Sequence, residues 1–507
     1  MTARPFRRLA PFVAAAAVLL AAGCGSTVQP QSVSVGVSNT GGATEPGLSA
    51  PGATGLPTPG RSGSTEIGTA TGPITAATGA TPGAAANSAT TQMPPGGSIH
   101  QAQPNTPLEL GITYINNQSA SSALGSQDPR TNSVKTVVEG YVRAINAAGG
   151  LDGRKLVPVE YEWHSGDGSW SQAASVACAK FTQDNHVQVV LDEAFGTVGG
   201  FRDCLQRAGV FDITNQGVGD DISSGNAPLH AAVGGFSLDR QYGAVLRQEV
   251  RSGYLTAKNQ IGMIVEGCPE NERAYSRTLL PLIKSLGLHD PKTYSFNCVD
   301  STASGAGQGQ AAISNAILRF RQPPVVDRVM FVSLDESAAL LLFGATASSQ
   351  NYHPGYLLSS NAQAHLAVES GTGFTPDQLP QIHGVGNQPT SDVNDAKPTA
   401  VDERCIKLLR TASVVPANYD DTGQAEFSCG PFLLLESLLK VTSGDATAGP
   451  LAQAVSTLGT SFAAPGVLEE RTSYSGAARD GGDLVQTFGY VASCQCIKYS
   501  GQPTPSG

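Results

Sequence analysis

From Leu108 onward the chain switches repeatedly between short apolar runs and stretches in which apolar residues recur every third or fourth position. The runs read as buried strands, and the periodic stretches read as helices packed by one face. Leu108 to Ile115 is the first such strand. Val134, Val137, Val138, Tyr141, Val142 and Ile145 then share one helical face, and Gly149-Gly150 closes that helix. A strand at Leu156 to Trp163 follows, then a helix around Gln172 to Gln183, a strand at Val187 to Leu191, a helix around Gly200 to Arg207 and a strand at Val210 to Thr214. Repeated strand-then-helix order predicts an α/β fold with a parallel sheet covered on both faces.

The pattern restarts after a loop rich in Gly, Ser and Asn (Gly217 to Ala227) and a crossing segment at His230 to Phe236. Strands at Gln260 to Glu266, Thr293 to Cys298, Arg328 to Ser333 and Gly355 to Ser360 alternate with helices near Glu272 to Leu286, Gln310 to Phe320 and Ser337 to Ala347. A second doubly wound lobe is therefore expected. Gln381 to Asn387 reads as a strand returning to the first lobe. Helices at Asp402 to Thr411 and Phe427 to Val441 complete that lobe, and a strand at Thr487 to Ala492 ends the ordered chain. The ordered body of about 400 residues exceeds what one hydrophobic core usually spans, which also favours two lobes. The expected boundaries are 107–235 for the first lobe, 236–380 for the second, 381–445 for the return to the first, and 446–499 for a C-terminal part mainly in the second. Residues 500–507 are expected to be a disordered tail.

The first 106 residues have a different character. Arg4, Arg7 and Arg8 precede an uncharged run from Leu9 to Ala22 that stops at Ala21-Ala22-Gly23-Cys24. The run is too short to cross a hydrocarbon layer of ~30 Å, and small residues before a cysteine suit cleavage ahead of Cys24. Residues 1–23 thus read as a lipoprotein signal peptide, with lipid carried on the Cys24 thiol and the protein held on the outer face of the membrane. Residues 24–106 read as a disordered tether: between Gly25 and Pro104, Gly, Pro, Ser, Thr and Ala make up 59 of 80 residues, with no aromatic among them. Such a segment cannot form a core, and its end-to-end distance is roughly 50 Å.

Charge and motifs narrow the chemistry by exclusion. Loss of the three signal-peptide arginines moves the formal charge from -10 to -13. So acidic a chain is not expected to bind nucleic acid. There is no GxSxG elbow, HExxH pair or Walker loop, and the eight histidines lack ligand spacing, so no metal, cofactor or enzymatic activity is expected. Besides Cys24 there are eight cysteines, an even number that outside the membrane favours disulfides. Eight allow 105 pairings. Neighbouring elements point to Cys178 with Cys204, Cys268 with Cys298 and Cys405 with Cys429. Cys494 and Cys496 are left to pair with each other or remain thiols.

The run Ala144-Ile145-Asn146-Ala147-Ala148-Gly149-Gly150-Leu151-Asp152-Gly153-Arg154-Lys155-Leu156 resembles the helix end and strand start of type I periplasmic binding proteins, specifically the branched-chain amino acid (Leu/Ile/Val) group that serves ABC importers. Weaker similarity runs from about Leu108 to Tyr499. The resemblance implies two doubly wound lobes joined by a three-segment hinge, a small polar solute such as an amino acid or related compound in the cleft between them, a monomer, and ABC permease and ATPase subunits as partners. A ligand sensor on the same scaffold, or less readily an enzyme, remains open, because one fold hosts many functions.

In open parallel sheets ligands sit beyond the carboxyl ends of the strands, so the loops that follow each strand supply the candidate ligand contacts. In the first lobe these are Tyr114, His164, Trp170, Phe195, Gly196, Thr197, Asn215 and Gln216. In the second they are Pro269, Asp335, Ser360 and Asn361. In the resembled family the loops matching Ala194 to Thr197 and Asn215 to Gly217 hold an amino acid's carboxylate and amino group. Here Asp192, Glu193 and Phe195 replace small neutral residues, which puts an α-amino acid ligand in doubt. The other reading turns these acids to solvent and packs Phe195 in the core. Asp335 is either a counter-charge for a ligand amine or the cap of the helix that follows it.

Overall fold

The computed structural model describes residues 106–116, 130–164, 168–196, 198–215, 229–299, 303–333, 335–368, 374–476 and 478–507. The signal peptide, Cys24 and the tether up to residue 105 lie outside the described residues, as do Thr197 and Gln216.

The first lobe is built on five parallel strands in the order β2-β1-β3-β4-β5. These are β1 (Leu108–Asn116), β2 (Leu156–His164), β3 (Val189–Asp192), β4 (Phe211–Thr214) and β5 (His230–Ala232). One face carries helix α1 (Val134–Ala147), capped by the Ser133 hydroxyl accepting from the Thr136 amide. The other carries α2 (Trp170–Ala179), opened by a reciprocal Ser169 and Gln172 capping box, and α3 (Gly199–Arg207). Between α1 and β2 the chain reverses at Gly149 and Gly150, with φ of +112° and +96°. A Cβ on Gly150 would lie 2.0 Å from the Arg154 carbonyl oxygen, so this turn requires glycine.

Helix α4 (Leu238–Ser252) then opens the second lobe. Its four parallel strands take the order β7-β6-β8-β9: β6 (Ile261–Gly267), β7 (Lys292–Asn297), β8 (Arg328–Val332) and β9 (Gly355–Leu357). The intervening helices are α5 (Pro269–Arg273), which continues through a π-helical turn into α6 (Leu280–Ser285), then α7 (Ala303–Phe320) and α8 (Glu336–Ser349). An antiparallel trio, β10 (His383–Gly386), β11 (Leu484–Val491) and β12 (Cys496–Pro505), continues this sheet through a single parallel bridge between Leu358 and Gly384.

Four expectations are corrected here. β10 does not return to the first lobe; it lies beside the end of β9, and Val385 packs in the second-lobe core with Val265, Met330 and Val485. After the short helix α9 (Pro389–Asp392), the chain crosses back and forms α10 (Ala400–Thr411), α11 (Tyr419–Val441) and α12 (Ala448–Leu458). Helix α12, with Phe462, Val467 and Tyr474, belongs to the first-lobe core, so only β11 and β12 of the C-terminal part are in the second lobe. The tail expected beyond residue 499 instead supplies the end of β12, and Ser506 N donates to the Asp483 carbonyl at 3.0 Å. Helix α11 starts at Tyr419 rather than Phe427, because Asn418 accepts from the Asp421 amide and caps it early.

Three segments connect the lobes and touch one another. The amide of Asn387 donates to the Gly234 carbonyl at 2.7 Å, and Ser237 N donates to Asp480 at 3.0 Å. Gly482 packs against Phe236 and the Gly234 carbonyl. These contacts place the carboxyl edges of both sheets on either side of one hinge.

All eight described cysteines are in disulfides: Cys178–Cys204 between α2 and α3, Cys268–Cys298 between the ends of β6 and β7, Cys405–Cys429 between α10 and α11, and Cys494–Cys496 in the β11–β12 turn. Among the described residues no helix is long and apolar enough to cross a membrane.

Candidate functional site

The carboxyl edge of the first sheet is organised around Asp192 at the end of β3. Its Oδ1 accepts from Thr113 Oγ1 at 2.5 Å and from the amides of Ala194 and Phe195 at 3.1 and 2.7 Å. The carboxylate thus fixes the turn that follows β3. Glu193 accepts from Ser428 on α11 at 2.9 Å; Gln424 donates to Ser428 at 2.9 Å, and Arg130 donates to Gln424. Burial pushes Asp192 up to about 7 and Glu193 up to about 8. These acids do not face solvent. Phe195 does pack in the core, against Phe201 and Tyr161 with ring centroids 5.2 and 5.9 Å away.

The other candidates of this lobe are spread along the same edge. Tyr114 is buried and donates from its hydroxyl to Glu160 at 2.8 Å; burial and then this carboxylate raise its proton affinity. His164 is half-buried at the end of β2, with Nε2 3.8 Å from Glu162. Trp170 stacks on Trp163 at 5.7 Å with rings 5° from parallel, and its Nε1 donates to the Ala194 carbonyl at 3.1 Å. Trp170, Phe195 and Gly196 are therefore neighbours. Asn215 is buried and donates to the Phe427 carbonyl, which ties the end of β4 to α11.

In the second lobe Asp335 is a helix cap: its carboxylate accepts from Ala338 N at 3.0 Å and from Ser337 Oγ at 2.9 Å. Pro269 is the exposed first residue of α5. Ser360 is buried at the hinge, where its hydroxyl lies 3.2 Å from Asp392 Oδ2 and accepts from Asn387 N at 2.9 Å; Asn361 follows it, half-buried. Asp392 also accepts from Gln388 N at 3.0 Å and from Tyr499 Oη at 2.5 Å, and burial pushes it up to about 7. Glu266 accepts from Ser333 at 2.9 Å, and Glu336 from Ser359 N at 3.1 Å and the Ser359 hydroxyl.

Sequence reading missed the buried set Arg202, Asp212 and His230. His230 Nδ1 is 3.1 Å from Asp212 Oδ2, and Arg202 Nε is 3.5 Å from the same oxygen. β4 and β5 pair Asp212 with His230 in register, and α3 lays Arg202 over them. The available signal was Asp212, a charge inside an otherwise buried four-residue strand. Burial pushes the Arg202 guanidinium down, with Asp212, Asp192 and then Glu270 opposing. Glu270 lies on α5 of the other lobe, so charges on the two lobes act on one another.

The one group of potential metal ligands among the described residues, Glu266 with Cys268 and Cys298, has both sulfurs in a disulfide and offers no thiolate.

No family model matches the sequence, and no curated protein matches it. Solved structures do. A fatty acid ABC transporter substrate-binding protein from Thermomonospora curvata is 14% identical with a TM-score of 0.56, over 80% of this chain and 94% of that one. A solute-binding protein of an ABC transporter from R. palustris, in complex with benzoate, is 16% identical with a TM-score of 0.55, over 78% and 96%. An ABC transporter substrate-binding protein from Desulfitobacterium hafniense, in complex with Leu, is 14% identical with a TM-score of 0.52, over 78% and 100%. At these identities the likeness establishes architecture. The chain has the type I periplasmic binding fold, two doubly wound α/β lobes on a three-segment hinge, in common with these substrate-binding proteins.

Proposed function

We propose that this protein is an extracytoplasmic solute-binding lipoprotein that captures a small polar ligand between its lobes and delivers it to an ABC importer. The observation that carries this reading is the hinge. Three mutually bonded crossing segments set the carboxyl edges of two parallel sheets against one space, which is where open α/β sheets bind ligands. Closure would complete contacts from both lobes only when solute is present. Similarly folded proteins solved with Leu or benzoate support a small solute as the ligand.

In this reading the protein binds one solute per monomer, non-covalently, without cofactor or metal and without turnover. Cys24 carries lipid, the tether spans the gap to the membrane, and a permease and an ATPase are the partners. A thermal-shift screen of amino acids, amides and organic acids, followed by calorimetry, tests it, since a ligand at 100 times its Kd raises stability by about 2.7 kcal/mol. One-to-one binding without turnover is expected. Chemical conversion of the bound compound would overturn the reading. Co-purification with a sensor kinase in place of a permease would favour signalling.

A further inference from the structure

Three of the disulfides join separate elements across 24 to 30 residues, and each removes much of the freedom of the unfolded chain. Cys494–Cys496 is different. It spans a single residue, Gln495, so it closes almost no chain, and it joins two strands that the β11–β12 ladder already joins. The turn is held by other bonds as well. Cys496 pairs with Val491 across the ladder, and Cys494 N donates to the Val491 carbonyl at 3.3 Å. The next residue, Ile497, donates to Asn394 Oδ1 at 2.8 Å and accepts from Asn394 N at 3.1 Å.

The closed bridge also encloses a disfavoured backbone. Gln495 has φ of +53°, the left-handed region that a side chain makes costly. A disulfide resists reduction by as much as it stabilises the fold, because the two equilibria form one thermodynamic cycle. A bridge that adds so little to the fold is therefore poised to open. It is also accessible: Ala492, Ser493, Cys494 and Gln495 are all exposed and Cys496 is half-buried, whereas Cys178, Cys405 and Cys429 are fully buried. Cys298 is exposed too, but its bridge ties the ends of β6 and β7 and its partner Cys268 is buried.

We infer that Cys494–Cys496 is a thiol-exchange site that takes a low-molecular-weight thiol into a mixed disulfide on Cys494, an inference independent of the cleft and its solute. A thiolate RS⁻ attacks the exposed Cys494 Sγ and forms the new S–S bond there. The bond to Cys496 breaks, and its electron pair leaves on Cys496 Sγ, which takes up a proton. A second thiolate then attacks the sulfur of the R group, which releases RSSR and leaves Cys494 to be protonated. Two thiols are oxidised to one disulfide, the protein disulfide is reduced to two thiols, and two protons pass from the first pair to the second. Cys496 stays in the ladder opposite Val491 throughout, so its thiol remains beside Cys494 and can expel RS⁻ to close the bridge again. The exchange is reversible.

The test incubates oxidised full-length protein with mixtures of reduced and oxidised glutathione, quenches with acid, alkylates the free thiols and maps the peptides. Cys494–Cys496 is expected to be half-reduced in a mixture at least about tenfold more oxidising than the one that half-reduces any of the other three disulfides, a difference of about 30 mV for this two-electron couple. The glutathione adduct is expected on Cys494. Cys496→Ser treated with oxidised glutathione should retain that adduct, because the neighbouring thiol that would expel it is gone. The double variant Cys494→Ser, Cys496→Ser should melt within about 2 °C of wild type. Reduction of all four bridges together, first opening at Cys268–Cys298, or absence of an adduct on Cys494 would each overturn the inference. So would a double variant that melts well below wild type, because the bridge would then be a structural one.

Discussion

Glu193→Gln should make the protein more stable at alkaline pH and remove part of its pH dependence. Glu193 is 5% exposed, and burial pushes its carboxyl from 4.5 to about 8, with Ser428 opposing and Asp192 adding to the rise. A carboxyl whose folded pKa is raised binds more protons in the folded state. Its contribution is fully present below the unfolded pKa of about 4.5 and is lost as pH rises through about 8. At about 1.4 kcal/mol per unit, wild type forfeits at most about 4 kcal/mol from this group between pH 5 and pH 8. Relaxation around a buried charge makes about 2 to 4 kcal/mol a fair working range. Glutamine keeps an acceptor for the Ser428 hydroxyl and cannot ionise. Urea unfolding at half-unit steps from pH 5 to 9 should show the variant gaining on wild type above pH 6, with the two curves converging near pH 4.5. In thermal melts the same gain is roughly 2 to 5 °C for about 400 ordered residues. Parallel pH curves for the two proteins would refute the reasoning, because they would mean that the Glu193 carboxyl is not held protonated by burial.

Further outcomes follow from individual contacts. Under graded reduction and differential alkylation, Cys494 and Cys496 should be alkylated before the Cys178–Cys204 and Cys405–Cys429 pairs, because Cys494 is exposed in its turn while Cys178, Cys405 and Cys429 are fully buried; earlier opening of Cys405–Cys429 would contradict this. Asn387→Ala removes the hinge bond to Gly234 and leaves that buried carbonyl short of a donor, so unfolding should cost about 1 to 3 kcal/mol less; an unchanged urea midpoint would count against the hinge contact. Solute binding should change tryptophan emission, because Trp163 and Trp170 stack at the carboxyl end of β2, beside the proposed cleft, and Trp170→Phe should abolish most of that change. Cys24→Ala should move the protein from the membrane to the soluble fraction or block its maturation, read by fractionation and intact mass.

The alternation of strand and helix was legible because the inner strands of both sheets are buried on both faces, so apolar runs and helical spacing report them directly. Lobe membership was harder. β10 is four residues, His-Gly-Val-Gly, and its lobe is decided by pairing with Leu358, a contact between segments that no local pattern encodes. β12 carries Gly501, Pro503 and Pro505, residues that read as a tail, yet it forms a strand because β11 offers it an edge. Asp335 as a cap was readable from an acid placed just before a helix, and three disulfides were readable from the adjacency of their elements. Arg202 was not, since an arginine on a nine-residue helix ordinarily marks the solvent face. Only the register of β4 with β5 reveals that Asp212 and His230 meet it inside the lobe.

The central claim is that solute draws the two lobes together. Spin labels at Ser171→Cys on α2 and Glu272→Cys on α5, both exposed positions on helices that start at strand carboxyl ends, report the interlobe distance across the cleft mouth. With any solute shown by calorimetry to bind one to one, the distance distribution is expected to shift to shorter values and narrow at saturation. A distribution unchanged at full occupancy would contradict the account.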